Sequence, residues 1–584
     1  MDILSSTHLW EPASLEFSKT YHVNGSAPNA SDAGPGTPAQ PFRTINHAAQ
    51  VLQAGERVVI AGGVYRESVH PARGGAGPQT MISYEAAEGD QVVIKGSVIL
   101  SEGWRASAGW ALRSDAQASI WQISLEDVPF GGYNPFGMDN VIQDRFYFWP
   151  KRLRSTKPFF QRRGMVFVDG LPLQQVDLYR ELAEESGRFW IEHNGLTLHM
   201  RLPGDSAPED HCVEITTKEQ VFAPKRRGLG YIRVKGITFE HAASGFPVPQ
   251  RGLVSAYRGH HWIVEGNTIR WANSVGLDLG NECWNASSPE DPAIIGHHIV
   301  RGNMVQHCGI CGMAGIPAPD YLVEDNLIEH CCFHDAENSY ESAGAKFHNA
   351  ERMLFRHNIV RHIAHGNGLW LDYTNVDSRV TGNIFADIAT IGGGIHIEAS
   401  HAPNFVDHNL VFNVRAAPGL EDQGVIGGHG VFSQGCDHTV IAHNLIVDCE
   451  MAGVFSELVP DRLVAGRGGT ARNLKVLHNI FHRCGQAAIE FANQHNFADG
   501  NLYGDLPGGP LRILFPEPQQ WLDIEAGREF YGWEQHGAYG TIRAELDADT
   551  LELTQTLGDS EPQVIRINMS DTGFWERLGN QTVE

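Results

Sequence analysis

Two carboxylates occupy the same phase of two successive units. In GLWLDYTNVDSRVTGNIF (368–385), Asp372 ends an apolar-alternating run eleven residues before Asn383; in GGIHIEASHAPNFVDHNLVF (393–412), Glu398 ends a similar run eleven residues before Asn409. Neighbouring strands lie about 4.8 Å apart, so equal phase predicts the two acids side by side, about 5 Å between carboxyl groups. That separation suits double displacement at a glycosidic carbon, one acid ionised as nucleophile and the other protonated as general acid. The same pair also fits a solvated acidic stripe or a calcium site.

Alternation along a strand turns Leu369, Leu371, Ile395 and Ile397 inward and Trp370, Asp372, His396 and Glu398 outward. The preceding unit, ESAGAKFHNA (341–350), turns Lys346 and His348 outward beside Asp372, provided its turn is one residue shorter: His348 lies ten residues before Asn358, not eleven. A lysine and a histidine there can hold hydroxyls and tune the carboxylates, although Lys346 alone also reads as a surface ion pair. Trp370 is expected to be exposed, its face available to the C–H surface of a sugar. His396, and His401 just past the second acid, complete the candidate substrate-binding set.

The scaffold is legible in a recurring tag, an asparagine followed by two residues that are hydrophobic except at Thr268. It occurs at Asn267, Asn303, Asn326, Asn358, Asn383, Asn409, Asn444, Asn479 and Asn501, with gaps of 36, 23, 32, 25, 26, 35, 35 and 22 residues. The gaps of 22 to 26 give the bare repeat; the longer ones add a loop. A fixed period of this size marks a solenoid. Its units are short β runs without helical periodicity, which predicts an all-β, right-handed parallel β-helix with the asparagines stacked in a ladder. A short helix near Ile45–Leu52 is expected to cap the first coils, in a segment spanning 1–103. Residues 104–226 break the repeat and contain a hairpin turning at Asn194-Gly195, which predicts an inserted β-sandwich. The main coil is expected over 227–505 and a β-rich tail over 506–584.

At these residues the chain resembles glycoside hydrolase family 120, the β-helix β-xylosidases. The resemblance covers most of the chain, through PFRTINHAAQVLQAGERVVIAGGVYRESV, YNPF (133–136), SVGLDLGNE (274–282), ESAGAKFH (341–348), GLWLDY (368–373) and IEASHAPNFVDHN (397–409). It implies a retaining exo-acting β-xylosidase in which Asp372 is the nucleophile, Glu398 the acid/base, and Glu341, Lys346, His348 and Trp370 line the pocket around the terminal sugar. No metal or organic cofactor is implied. The chain departs from the family at Tyr373, where tryptophan is more usual, and at HAP (401–403), where HGP is usual. IATIGGG (388–394) also reads as a lengthened connection. These changes bear on the sugar rather than the reaction.

Three other readings compete. A β-helix polysaccharide lyase would use a lysine or arginine as base, often with calcium, against a uronate. A non-catalytic carbohydrate-binding β-helix, such as an adhesin or a tail fibre, is disfavoured by the start of the sequence, which shows no leader pattern, and by the sandwich insert. A zinc site could draw on His307, Cys308, Cys311, Cys331, Cys332 and His334, and the HDAEN segment (334–338) could host a cation, but the usual zinc spacing is only half present. The formal net charge of −25 disfavours phosphate backbones and anionic lipid. An oligosaccharide or small glycoside is the expected partner, and the chain is compatible with a homo-oligomer. The start carries no signal-peptide pattern and the nine cysteines read as reduced thiols, so a cytoplasmic location is expected.

Overall fold

In the computed structural model, residues 10–107, 119–140, 161–245, 251–280, 294–335, 341–418, 427–459, 461–464, 466–558 and 560–567 are described. Three long sheets run the length of a parallel β-helix. Among the described residues two have thirteen strands each, beginning at Lys19–Val23 and at Gly63–Tyr65, and the third has eleven, beginning at Val254–Ser255. Successive coils pair in parallel register, for example Val234 with Val264 and Val264 with Val300 in the first sheet. Inward-facing aliphatic residues from all three sheets form one continuous core.

The asparagine tag has a physical explanation in its flanking residue. The residue before each ladder asparagine is Gly266, Gly302, Asp325, His357, Gly382, His408, His443, His478 or Gly500, and every one has a positive φ, between 53° and 69°. The left-handed bend there is tolerated by glycine and, among other residues, best by short polar ones or histidine. It turns the asparagine into the coil. Each amide then donates to the next coil's carbonyl oxygen, from Asn267 to Asn303 (3.0 Å) through to Asn479 to Asn501 (3.1 Å). The ladder ends on Glu534, which accepts from the Asn501 amide at 2.6 Å.

Helix Ile45–Val51, N-capped by Thr44, buries Ile45, Ala48 and Ala49 in the same core as the first coils. The insert is built from two sheets sharing a separate core that includes Phe136, Val166, Phe189, Leu198 and Ile215. Its outermost pair is Ser97–Ile99 against Val213–Thr216, so its sheets begin before residue 104 and end before 226. Arg66 and Lys95 of the coil hold Glu214 of the insert at 2.6 and 3.2 Å. The coil also continues past residue 505, through Leu511–Phe515 and Ala538–Tyr539. The tail that follows forms an antiparallel sheet over Ile542–Asp547, Glu552–Leu557 and Gln563–Arg566, and its Ile542, Ala544 and Leu553 pack on Ile384, Phe412 and Val447 outside the second sheet. No helix among the described residues is long and apolar enough to cross a membrane.

Candidate active site

Asp372 is the last residue of strand Asn367–Asp372 and Glu398 the last of Gly393–Glu398, neighbours in the third sheet. The register pairs Leu369 with Ile395, Trp370 with His396 and Leu371 with Ile397, which sets Glu398 one rung from Asp372 on the same face. The chain bends directly after each acid, with φ of 57° at Tyr373 and 53° at Ala399, and Tyr373 N–H donates to the Glu398 carbonyl at 3.1 Å. Both carboxylates thus stand at one corner of the coil. The preceding strand, Ala343–His348, pairs Lys346 with Trp370 and His348 with Asp372; the stretch from it to strand Leu354–Arg356 is one residue shorter than the corresponding stretches after Asp372 and after Glu398.

The close fit of this sheet depends on glycine where backbones approach. A Cβ at Gly368 would lie 2.4 Å from the Gly394 carbonyl oxygen and 2.6 Å from Ile388 Cδ1. That glycine lets the strand bearing Trp370 and Asp372 lie against the next.

The outward face is not a solvated surface. Lys346 is fully buried, with Nζ 3.1 Å from Asp372 Oδ2 and 3.6 Å from Glu341 Oε1, so it is no surface ion pair. His348 bridges the same acids, Nδ1 at 3.4 Å from Asp372 Oδ2 and Nε2 at 3.4 Å from Glu341 Oε2. Burial alone would push the Asp372 carboxyl up. The charges of Lys346, His348 and Arg462, with the lysine's hydrogen bond, outweigh that and hold it down at about 2. Asp372 is therefore ionised at neutral pH, with Oδ2 secured and Oδ1 without a hydrogen bond among the described residues.

Trp370 differs from its expected role. It is only 6% exposed, because neighbouring rungs cover both faces of the indole: Lys346 Nζ lies 3.4 Å from the ring centroid, and His396 stacks at 4.9 Å. No face remains for a sugar. Its Nε1–H instead donates to Glu398 Oε2 at 2.8 Å and fixes that carboxyl group. His396 continues the stack onto Phe432 at 4.5 Å and is held neutral by burial, its pKa pushed down to about 3. His401 does not meet the carboxylates in any hydrogen bond or ion pair described. It joins Asp437 at 2.8 Å and the Arg467 carbonyl at 3.4 Å, at the base of the loop after Val454–Glu457.

That loop supplies the residue sequence reasoning missed. Arg462 Nη1 bonds Glu398 Oε1, and Nη2 lies 3.8 Å from Asp372 Oδ1. The available signal was the 35-residue gap between Asn444 and Asn479, about ten longer than the bare repeat, with arginine in the excess. On the far side of Glu398 the next rung presents Gln434, whose amide donates to Glu457 at 2.6 Å.

Among the described residues no three histidine, cysteine, aspartate or glutamate side chains converge as a metal site would require. Cys308, Cys331 and Cys332 are buried in the coil core as small apolar residues. Asn281 and Glu282 of SVGLDLGNE and residues 336–338 of HDAEN lie outside the described residues.

Comparison with known proteins agrees with this architecture. Residues 251–426 match the profile of the right handed beta helix region. The structure is similar to that of XylC in complex with xylose, with TM-score 0.71 and 22% identity over 92% of this chain and 89% of that one. It is more distantly similar to a glycoside hydrolase (TM-score 0.45, 12% identity, 84% and 97% covered) and to pectate lyase Pel9A (TM-score 0.36, 9% identity, 86% and 78% covered). No curated protein matches the sequence. Fold and site together define a right-handed parallel β-helix protein with two acids on adjacent rungs of one sheet.

Proposed function

We propose that this chain is a retaining exo-glycosidase that releases a non-reducing terminal sugar, xylose from β-xylosides or xylo-oligosaccharides. The observation that carries the reading is the state of the paired acids. Asp372 is held ionised with one oxygen that takes no hydrogen bond among the described residues, and Glu398 stands one rung away with its carboxyl group fixed by the Trp370 indole. The resemblance to glycoside hydrolase family 120 and the likeness to XylC, solved with xylose, support xylose as the sugar.

In the proposed mechanism, Asp372 Oδ1 attacks the anomeric carbon while Glu398 protonates the departing oxygen. The glycosidic bond breaks as the Asp372–sugar ester forms. Glu398, now ionised, takes a proton from water, whose oxygen attacks the same carbon and expels Asp372. Two inversions give net retention. Lys346 and His348 stabilise Asp372 both as nucleophile and as leaving carboxylate.

The lyase alternative needs a base with a free lone pair. Lys346, enclosed by Asp372, Glu341 and the Trp370 ring, is placed as a counter-ion instead.

A panel of nitrophenyl xyloside, arabinofuranoside, glucoside and galactoside tests the reading. Nitrophenol release with the xyloside preferred, and its loss in Asp372→Ala with unchanged circular dichroism, is expected. An unsaturated product absorbing near 235 nm from a uronate oligosaccharide would overturn it.

A further inference from the structure

Arg462 occupies the space the proposed reaction needs. The attacking oxygen is Asp372 Oδ1 and the proton donor is Glu398, so the anomeric carbon and its leaving oxygen must sit between them. That gap is bridged by the guanidinium, bonded to Glu398 Oε1 and 3.8 Å from Asp372 Oδ1. A sugar and a guanidinium cannot share it.

The arginine is delivered by a loop rather than by the coil. Its guanidinium lies 5.6 Å from the centre of the Tyr373 ring, whose hydroxyl donates to the Leu463 carbonyl at 3.2 Å. The loop's far end is fixed by Asp437, which accepts from Thr470 Oγ1 at 2.6 Å, from Arg472 N–H at 3.0 Å and pairs with His401 at 2.8 Å. The Arg462 side chain is itself one-third exposed, so it can turn outward to water while these anchors hold.

We propose that Arg462 is the resident counter-ion of the two carboxylates, that the terminal sugar displaces it, and that Glu398 takes up a solvent proton as it leaves. This rests on the retaining-glycosidase reading. The charges around the site give the reason. Three acids, Glu341, Asp372 and Glu398, face two permanent cations, Lys346 and Arg462, with His348 between the first two acids.

When Arg462 departs, Asp372 keeps Lys346 and His348 and stays ionised. Glu398 is left with the neutral Trp370 N–H, the neutral Gln434 on the next rung with Glu457 beyond it, neutral His396 on its own strand, and the negative charge of Asp372. These surroundings favour its acid form. The incoming sugar thus converts Glu398 from an ion-pair partner into the proton donor that glycosylation requires, with one proton gained from solvent per arginine released.

The test compares wild type, Arg462→Gln and Arg462→Lys without ligand. The Glu398 carboxyl is titrated by carbon-13 NMR in glutamate-labelled protein and assigned by its loss in Glu398→Gln. Removing a cation this close should raise the Glu398 pKa by about one unit or more in Arg462→Gln, while Arg462→Lys stays near wild type. An unchanged Glu398 pKa in Arg462→Gln overturns the counter-ion assignment, whether or not the protein hydrolyses anything.

The displacement step is read from kinetics on nitrophenyl xyloside. Arg462→Gln should lower KM and move the alkaline limb of kcat/KM to higher pH. A raised KM with an unmoved alkaline limb would mean that the arginine holds the sugar, and would overturn displacement. Failure of wild type and variant alike to cleave any nitrophenyl glycoside would instead sink the hydrolase reading, and displacement with it, and leave the NMR result to stand by itself.

Discussion

Replacing Lys346 by methionine isolates the electrostatics that hold Asp372 ready. Methionine keeps the length of the side chain and places a polarizable thioether over the Trp370 ring, so packing changes little while the buried charge disappears. In the native protein Asp372 sits at about 2 against an ordinary 3.8, despite burial that pushes it up, and Lys346 contributes the largest opposing charge. The depression corresponds to about 2 kcal/mol of native-state stabilisation, at roughly 1.4 kcal/mol per unit. The sign follows from its direction. A carboxyl depressed in the folded state contributes fully above its unfolded pKa, near 4, and the contribution is lost as the pH falls towards 2. In Lys346→Met the largest charge opposing burial is gone and only His348 and Arg462 remain, so the Asp372 pKa should rise by about 1–3 units. At pH 7 the variant carries a buried carboxylate balanced only by His348 and Arg462, and should be less stable than wild type by up to about 3–5 kcal/mol, the cost of breaking a buried pair. At pH 3 the variant's Asp372 is at least half protonated and carries less of that cost, so the gap should narrow. Calorimetric Tm measured from pH 3 to 8 gives the result directly. Adding Asp372→Asn should recover part of the loss at pH 7, because it removes the stranded charge. A stability gap that is the same at pH 3 and pH 7, with no recovery in the double variant, would refute the reasoning.

Trp370→Phe should retain the stack with His396 but lose the N–H donated to Glu398, a bond to a charged group worth about 1.5–3 kcal/mol. Kinetics on nitrophenyl xyloside should show kcat falling about tenfold or more with little change in KM; a raised KM with unchanged kcat would restore the sugar-platform role. Gly368→Ala drives a Cβ into the Gly394 carbonyl oxygen and Ile388, so thermal melting should report destabilisation by about 1–3 kcal/mol with reduced turnover. Asn383→Ala removes the acceptor for the backbone N–H and side-chain amide of Asn358, at 2.8 and 3.1 Å, and the donor to Asn409. With at least one buried group left unsatisfied, it should cost about 2–4 kcal/mol in denaturant unfolding.

Most of the scaffold is legible in the sequence because one physical requirement repeats. Each coil needs a left-handed bend before an inward asparagine, so glycine, aspartate or histidine recurs at one position and the tag becomes visible. The phase of Asp372 and Glu398 follows from the same counting, as does the one-residue correction that brings His348 beside Asp372. Burial was not legible. Alternation separates inward from outward, but Lys346 and Trp370 are outward and still enclosed, because neighbouring rungs and chain outside the sheet cover them. Trp370 therefore orients an acid instead of greeting a sugar. Arg462 was hidden because loop residues carry no period; only the excess length of its coil marks the place. The packing of the tail depends on an apolar stripe on the second sheet's outer face, formed one residue per coil by Ile384, Leu410 and Leu445. Such a stripe emerges only once the register is known.

The central claim is that Asp372 carries the sugar between the two halves of the reaction. Incubating the enzyme with a 2-deoxy-2-fluoro-xyloside bearing a good leaving group slows release of the covalent intermediate, and peptide mass spectrometry then locates the label. A fluorosugar ester on Asp372, absent from Asp372→Ala and discharged on dilution with return of activity, is the predicted result. A label on any other residue, or turnover that inverts the anomeric centre with no label at all, would contradict it.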